Sequence, residues 1–266
     1  MLYLGTVPVM ADFISRLRPA PLAALISSIC GLSKRRTLRT EQGSFLVNPV
    51  SNLGRQLAGG RYEPKMVDVL RKYLQPGSVF IDLGANEGYF SVIASQIVGP
   101  RGTVIAVEPQ SRLQSVILAN LALNTCYNVR MVRAVVSSQT GTVRLQLTPE
   151  LNNGGSSLFR TTSYPVPTEE VQSFTLAELL SRTGIERCDL MKVDIEGAEH
   201  EVFMTAKGIL KSGAIRNIAL EIHNPILEDR GLSGNELHQE ILNCGYRLHD
   251  DLGHWVYSFS RLRDTA

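Results

Sequence analysis

From Val79 onward the chain alternates short, mostly apolar runs with longer segments of helical periodicity, and that alternation admits few folds. Val79–Leu83, Val104–Glu108, Val129–Val135, Asp189–Asp194 and Ile218–Ile222 are too short for helices. They also lack the polar alternation of a half-wet strand, so they read as strands buried on both faces. Before and between them, Glu63–Leu74, Tyr89–Val98, Arg112–Asn124 and Glu199–Leu210 place apolar residues at helical spacing. Thr175-Leu-Ala-Glu178 and Ser233-Gly-Asn-Glu236 are capping boxes that open two more helices, the second running to about Leu242. Gly141–Leu147 alternates like a strand, and Tyr246–Ser260 reads as a hairpin turning at Asp251-Leu-Gly253.

Alternating strand and helix units imply an α/β architecture of the Rossmann-like kind. The expectation is a mostly parallel seven-stranded sheet with helices on both faces and an antiparallel C-terminal hairpin strand. Residues 62–266 hold this domain, and residues 1–61, interrupted by Pro8, Pro19, Pro21 and Pro49, form an N-terminal helical extension. Within it, Pro21–Leu32 reads as a helix that covers the core or docks a partner. Its apolar length is too short to span a bilayer, although the following Lys34-Arg35-Arg36 leaves room for weak contact with an anionic membrane surface.

Ligands of such sheets bind beyond the carboxyl ends of the strands. The first end reads Asp82-Leu-Gly84-Ala-Asn86-Glu-Gly88, where small residues let the backbone turn sharply and approach a ligand. It is not GxGxxG, and the Asp82 carboxylate would repel a pyrophosphate. A cationic sulfonium ligand suits that charge better, so S-adenosylmethionine is favoured over NAD. Glu108 ends the second strand, twenty positions after Gly88, where a carboxylate can accept both ribose hydroxyls of an adenosine. The expected donor residues are Asp82, Gly84, Asn86, Gly88 and Glu108. An NAD-dependent oxidoreductase and a non-catalytic binding module of the same fold are the alternatives.

Three blocks, Asp82-Leu-Gly-Ala-Asn-Glu-Gly-Tyr-Phe90, Ala106-Val-Glu-Pro109 and Met191-Lys-Val-Asp-Ile-Glu-Gly-Ala-Glu199, resemble the signature of the FkbM family of methyltransferases. The loop Gly154-Gly-Ser-Ser-Leu158 also resembles a block of that family. The resemblance covers roughly Arg61 to His223. It implies a class I methyltransferase fold, S-adenosylmethionine as donor, and O-methylation of a hydroxyl on a saccharide, glycolipid or polyketide-type product.

Methyl transfer needs a group that orients the acceptor and takes its proton. Period two puts Lys192, Asp194 and Glu196 on one side if that strand stays extended, and gives Glu221 and His223 a common face. Asp194, Glu196 and His223 are therefore the catalytic candidates, His223 as a general base near neutral pH. A structural pair between Lys192 and a carboxylate, with Glu196 or Glu199 starting a helix, is the competing reading. By analogy with catechol-type O-methyltransferases, Asp194, Glu221 and His223 could hold a divalent cation such as Mg²⁺.

Charge narrows the partners further. With 27 Lys+Arg against 25 Asp+Glu the net charge is +2, which gives nucleic acid no footprint and leaves a small-molecule or glycan acceptor. Four scattered cysteines without a CxxC pair, and no basic segment ahead of the first apolar stretch, fit free thiols in a reducing cytoplasm. Oligomeric state is not legible in the sequence.

Overall fold

The computed structural model describes residues 29–60, 62–149, 154–159, 165–251 and 255–260, with Leu22, Leu25 and Ile26 ahead of them. The turn expected at Asp251-Leu-Gly253 and most of residues 1–28 lie outside the described residues. The elements run β1 (Arg36–Thr40), β2 (Gly43–Val47), α1 (Asn52–Ala58), α2 (Pro64–Tyr73), β3 (Val79–Leu83), α3 (Tyr89–Val98) and β4 (Thr103–Val107). Then come α4 (Ser111–Leu123), β5 (Val129–Val132), β6 (Val135–Val136), β7 (Gly141–Gln146), β8 (Thr168–Phe174), α5 (Leu176–Thr183) and β9 (Leu190–Val193). The chain continues with α6 (Glu199–Thr205), α7 (Lys207–Ser212), β10 (Asn217–Leu220), α8 (Asn224–Glu228), α9 (Gly234–Asn243), β11 (Tyr246–Asp251) and β12 (Trp255–Phe259).

The main sheet is seven-stranded, in the order β11-β12-β10-β9-β3-β4-β5. The pairs β3–β4, β4–β5, β3–β9 and β9–β10 are parallel, and β12 is antiparallel to both of its neighbours. From β3 the chain winds outward through β4 and β5, then returns to β9 on the other side of β3. The connections leaving β3 and β9 therefore part at their carboxyl ends, and a crevice opens there.

Period two sorts the strand side chains into two cores. Phe80, Val104 and Leu190 join the cluster under α2, α3 and α4, while Ile81, Leu83, Ile105, Val107, Met191 and Val193 join the one under α5, α6 and α9. Asp82 and Lys192 share a parity with Phe80 and Leu190, and they are register partners across β3 and β9. Two charged groups are thus driven into an apolar layer beneath α3, and each is at most 2% exposed.

Several elements depart from the sequence reading, each for a local reason. The strand expected over Val129–Val135 breaks because Ala134 N–H donates to Val132 O, and the resulting tight turn sends β6 into a separate sheet. That sheet has the order β6-β8-β7, and β8 went unread because its burial rests on Val171 and Ser173 among polar neighbours. The helix expected over Glu199–Leu210 is two helices meeting at Ala206 (φ −93°, ψ 9°). Ahead of α2 stands the helix α1, as well as an antiparallel hairpin, β1–β2, that the sequence did not mark. Phe45, Val47, Leu53 and Leu57 of this segment are buried in the same cluster as Met66, Leu70 and Val92. The cysteines are free, with Cys126, Cys188 and Cys244 buried and Cys30 exposed. Among the described residues no helix is long and apolar enough to cross a membrane.

Candidate active site

The turn after β3 is built to let backbone come close. Gly84 sits at φ +85°, and a Cβ there would lie 1.8 Å from the carbonyl oxygen of Asp194. Only glycine meets both conditions. The N–H groups of Gly84 and Ala85 donate to Val107 O (3.0 and 2.9 Å), which ties the turn to the end of β4. Gly88, at φ +81°, caps α3 in the left-handed region. Asn86 is left-handed as well, at φ +51°, and its N–H donates to Glu108 Oε2 at 2.9 Å. The other oxygen, Glu108 Oε1, accepts from Gln110 N–H at 3.0 Å. Burial raises the Glu108 pKa to about 7, against the lowering effect of those backbone donors.

Gly84, Asn86 and Glu108 line one cavity, of about 810 Å³ measured to its open mouth, with Ala134, Val135 and Leu145 along its apolar side. Gly154, Ser156, Ser157 and Leu158 complete the wall. That stretch is anchored by a bridge between Gln146 and Ser157, and by Ser157 Oγ–H donating to Glu196 O at 2.5 Å.

Asp82 and Gly88 are not among the lining residues. The Asp82 side chain lies beneath the turn, where Oδ2 accepts from Ser91 Oγ at 2.6 Å and Oδ1 stands 4.0 Å from Lys192 Nζ. Burial raises the Asp82 pKa, and Lys192 and Ser91 work against that rise. Gly88 holds the turn against α4, where a Cβ would lie 3.1 Å from Ile117 Cγ2.

The second cavity opens beside the first, and Tyr62, Asn86, Glu87, Asp194 and Glu196 border both. Its further lining includes Glu63, Glu221 and His223. Lys192 reaches Asp194 Oδ2 at 2.9 Å and lies over the Phe90 ring, 5.3 Å from its centroid. Burial opposes the Lys192 charge, but Asp194 and Asp82 outweigh it and shift the pKa upward. The structural pair foreseen for Lys192 is thus present, with a carboxylate on each side.

Period two does not carry to Glu196. Strand β9 ends at Val193, and Glu196 enters a turn at φ +50° before Gly197. That turn swings its carboxylate to face His223, whose Nε2 lies 3.7 Å from both Asp194 Oδ1 and Glu196 Oε2. On the other ring nitrogen, Nδ1 is 2.6 Å from Oε1 of the fully buried Glu199. Burial lowers the His223 pKa, but the hydrogen bond and charge of Glu199, with Glu196 and Asp194, overcome it and push the value up to about 9. A value raised that far favours the imidazolium at neutral pH, the form that donates to the carboxylates around it. One ligand atom from each of Asp194, Glu196 and His223 falls within 4.8 Å of the others. Glu221 lines the same cavity without belonging to that converging set.

Sequence reasoning missed Leu53, Tyr62 and Glu63, which come from the N-terminal segment and the entry to α2. Tyr62 stacks on Phe90 (centroids 5.8 Å apart) and meets Tyr89 edge-on at 5.2 Å. Glu63, Asn86 and Glu196, three of the four described non-glycine residues with positive φ, all border the second cavity. Such conformations are costly and collect where function demands them.

A family model described as the methyltransferase FkbM domain matches residues 82–248. The chain belongs to the FkbM methyltransferase family. It is therefore an S-adenosylmethionine-dependent methyltransferase, and the oxidoreductase alternative falls. The methyltransferase sdnD of Sordaria araneosa is 30% identical over 197 residues, covering 59% of this chain and 74% of that one. The AMB antimetabolite synthetase AmbE of Pseudomonas aeruginosa is 24% identical over 185 residues, which amount to 9% of its length. Among solved structures, the methyltransferase FkbM of Methylobacillus flagellatus KT aligns over 90% of this chain and 60% of that chain, with TM-score 0.45 and 13% identity. Family membership rests on the sequence match.

Proposed function

We propose that this methyltransferase acts on a hydroxyl of a hydroxyl-rich small molecule, a saccharide or saccharide-bearing product first, with the donor in the Glu108 cavity and the acceptor in the His223 cavity. The observation that carries this reading is the wall the two cavities share, because a methyl acceptor must reach the donor across one boundary. When bound, S-adenosylmethionine supplies an electrophilic methyl group on a sulfonium. The chain's own residues do the rest. Glu108 offers its carboxylate to ribose hydroxyls, and the Gly84–Asn86 backbone allows close approach. Asp82 acts from below, holding Ser91 and Lys192. Glu196 accepts the proton of the acceptor hydroxyl, Asp194 orients that hydroxyl, and the His223 imidazolium keeps both carboxylates ionised and in place. The free cysteines make a reducing, cytoplasmic setting part of the same reading.

An acceptor panel of sugars, glycolipids and macrolides, scored by S-adenosylhomocysteine release, tests the substrate class. Transfer confined to nitrogen or carbon acceptors would sink the O-methylation reading. Glu196→Gln should lower turnover by about 10²–10⁴-fold, the usual range for a general base. Donor affinity in that variant should stay within about twofold, since Glu196 is assigned to the acceptor side.

A second reading has one specific observation behind it. Asp194, Glu196 and His223 converge, and Glu199 fixes the remaining ring nitrogen as outer-sphere carboxylates do at metal centres. Two oxygen ligands and one imidazole suit Mn²⁺ or Zn²⁺ better than Mg²⁺. Titration of the metal-free protein with Mn²⁺ decides it. Saturable binding lost in His223→Ala would support the cation, and full turnover after exhaustive chelation would remove it.

A further inference from the structure

We propose that Arg35, far outside the matched family region, is a positioning residue for the donor-side turn. The proposal rests on the Glu108 cavity being the donor site. Arg35 makes a two-pronged pair with Glu87, Nη1 to Oε2 at 2.8 Å and Nη2 to Oε1 at 3.0 Å. Glu87 is 1% exposed and borders both cavities, so its carboxylate is a buried charge at the centre of the site.

The pair is one side of a closed circuit. Arg35 Nη1 also donates to Leu46 O at 3.3 Å, and Leu46 N–H donates to Asn120 Oδ1 at 2.6 Å. Asn120 Nδ2 returns to the turn by donating to Glu87 O at 2.8 Å. One helical turn further, Asn124 turns both its amide atoms to β2, accepting from Ser44 N–H at 2.9 Å and donating to Ser44 O at 2.7 Å. The amides of Asn120 and Asn124 thus give β2 the partners that a neighbouring strand would supply.

The circuit fixes Glu87 by its backbone from α4 and by its side chain from the hairpin. Asn86 is the next residue, left-handed and hydrogen-bonded to Glu108. Without that support Asn86 would be free to relax toward a commoner backbone conformation, and its hydrogen bond to Glu108 would be weakened with it. A bidentate guanidinium sets orientation as well as charge, which a lysine ammonium cannot do. Arg35 and Leu46 both precede the matched region of residues 82–248, so this support is supplied by the segment that the family domain does not include.

Calorimetry with S-adenosylhomocysteine, at a temperature where each variant is folded, tests the proposal. Arg35→Ala should weaken binding by about tenfold or more, and Arg35→Lys should fall between it and wild type. The neighbouring exposed Arg36→Ala serves as control and should bind as wild type does. Backbone amides of Asn86–Gly88 should exchange faster in Arg35→Ala, a change that a loss of global stability alone would spread over the whole sheet. Wild-type affinity in Arg35→Ala would overturn the proposal; if that variant does not fold, wild-type affinity in Arg35→Lys would do so. Absence of binding by the wild-type protein would instead defeat the assignment of the donor cavity.

Discussion

The proposed donor and acceptor walls meet along Asn86, Glu87, Asp194 and Glu196, yet they are made in different ways. On the donor side the polar work is done by backbone: Gly84, Ala85, Asn86 and Gln110 N–H groups are all engaged, and the Glu108 carboxylate has a backbone donor on each oxygen. The acceptor side is an array of coupled charges, Lys192–Asp194, His223–Glu199 and the Glu196 carboxylate facing the same imidazole. A backbone cradle is fixed by the fold, and of the groups named in it only the Glu108 side chain can change its protonation. A charge array holds its form only while each member keeps its partner, and moving a proton changes all of them. That division suits a constant donor and a variable acceptor.

The largest break in this comparison should come from Lys192→Met. It leaves Asp82 buried without its cation and removes the partner of Asp194, so stability should fall by roughly 3–5 kcal/mol. Denaturant unfolding measures this, and Asp82→Asn added to Lys192→Met should recover part of the loss. A fall of under about 1 kcal/mol would mean that the buried charges are not coupled as their spacing implies.

A smaller effect concerns Glu108. Its pKa is raised from 4.5 to about 7 by burial, so between those values the folded protein holds more protons than the unfolded chain. Stability should therefore decrease as pH rises through that window, by roughly 3 kcal/mol at most from this group. Glu108→Gln should flatten that limb of the stability–pH curve. The acceptor side has the same sign in a higher window. The raised His223 pKa contributes stability that is complete below 6.5 and is lost as pH climbs through about 9. Unfolding curves of Glu108→Gln and His223→Ala across pH 4–10 would separate the two limbs.

The smallest effect is expected at the join. Ser157→Ala removes the hydroxyl that donates to Glu196 O and should cost about 1 kcal/mol. Its use is diagnostic, since a drop in turnover with unchanged donor affinity would assign that loop to the acceptor wall.

The donor wall was legible because its parts are adjacent in sequence and its strands are apolar runs that period and length identify. Gly84, Asn86 and Glu108 line the cavity at the strand ends, whereas Gly88 packs against α4 and the Asp82 side chain lies a layer deeper, since its parity with Phe80 turns it under α3. The acceptor wall joins residues from distant segments. Leu53, Tyr62 and Glu63 come from a stretch whose hairpin borrows side-chain amides of α4 for its hydrogen bonds, a pairing no local pattern announces. Glu196 was placed by a strand period that its left-handed turn interrupts, and the Glu199–His223 contact depends on how α6 docks beside β10.

The cavity between the ends of β3 and β4 is the proposed seat of the methyl donor. Titration calorimetry of S-adenosylhomocysteine against wild type and Glu108→Gln tests it directly. One molecule bound per chain, with affinity at least about tenfold weaker in Glu108→Gln, is the predicted result. Equal affinity in the two proteins would place the donor elsewhere and contradict the account.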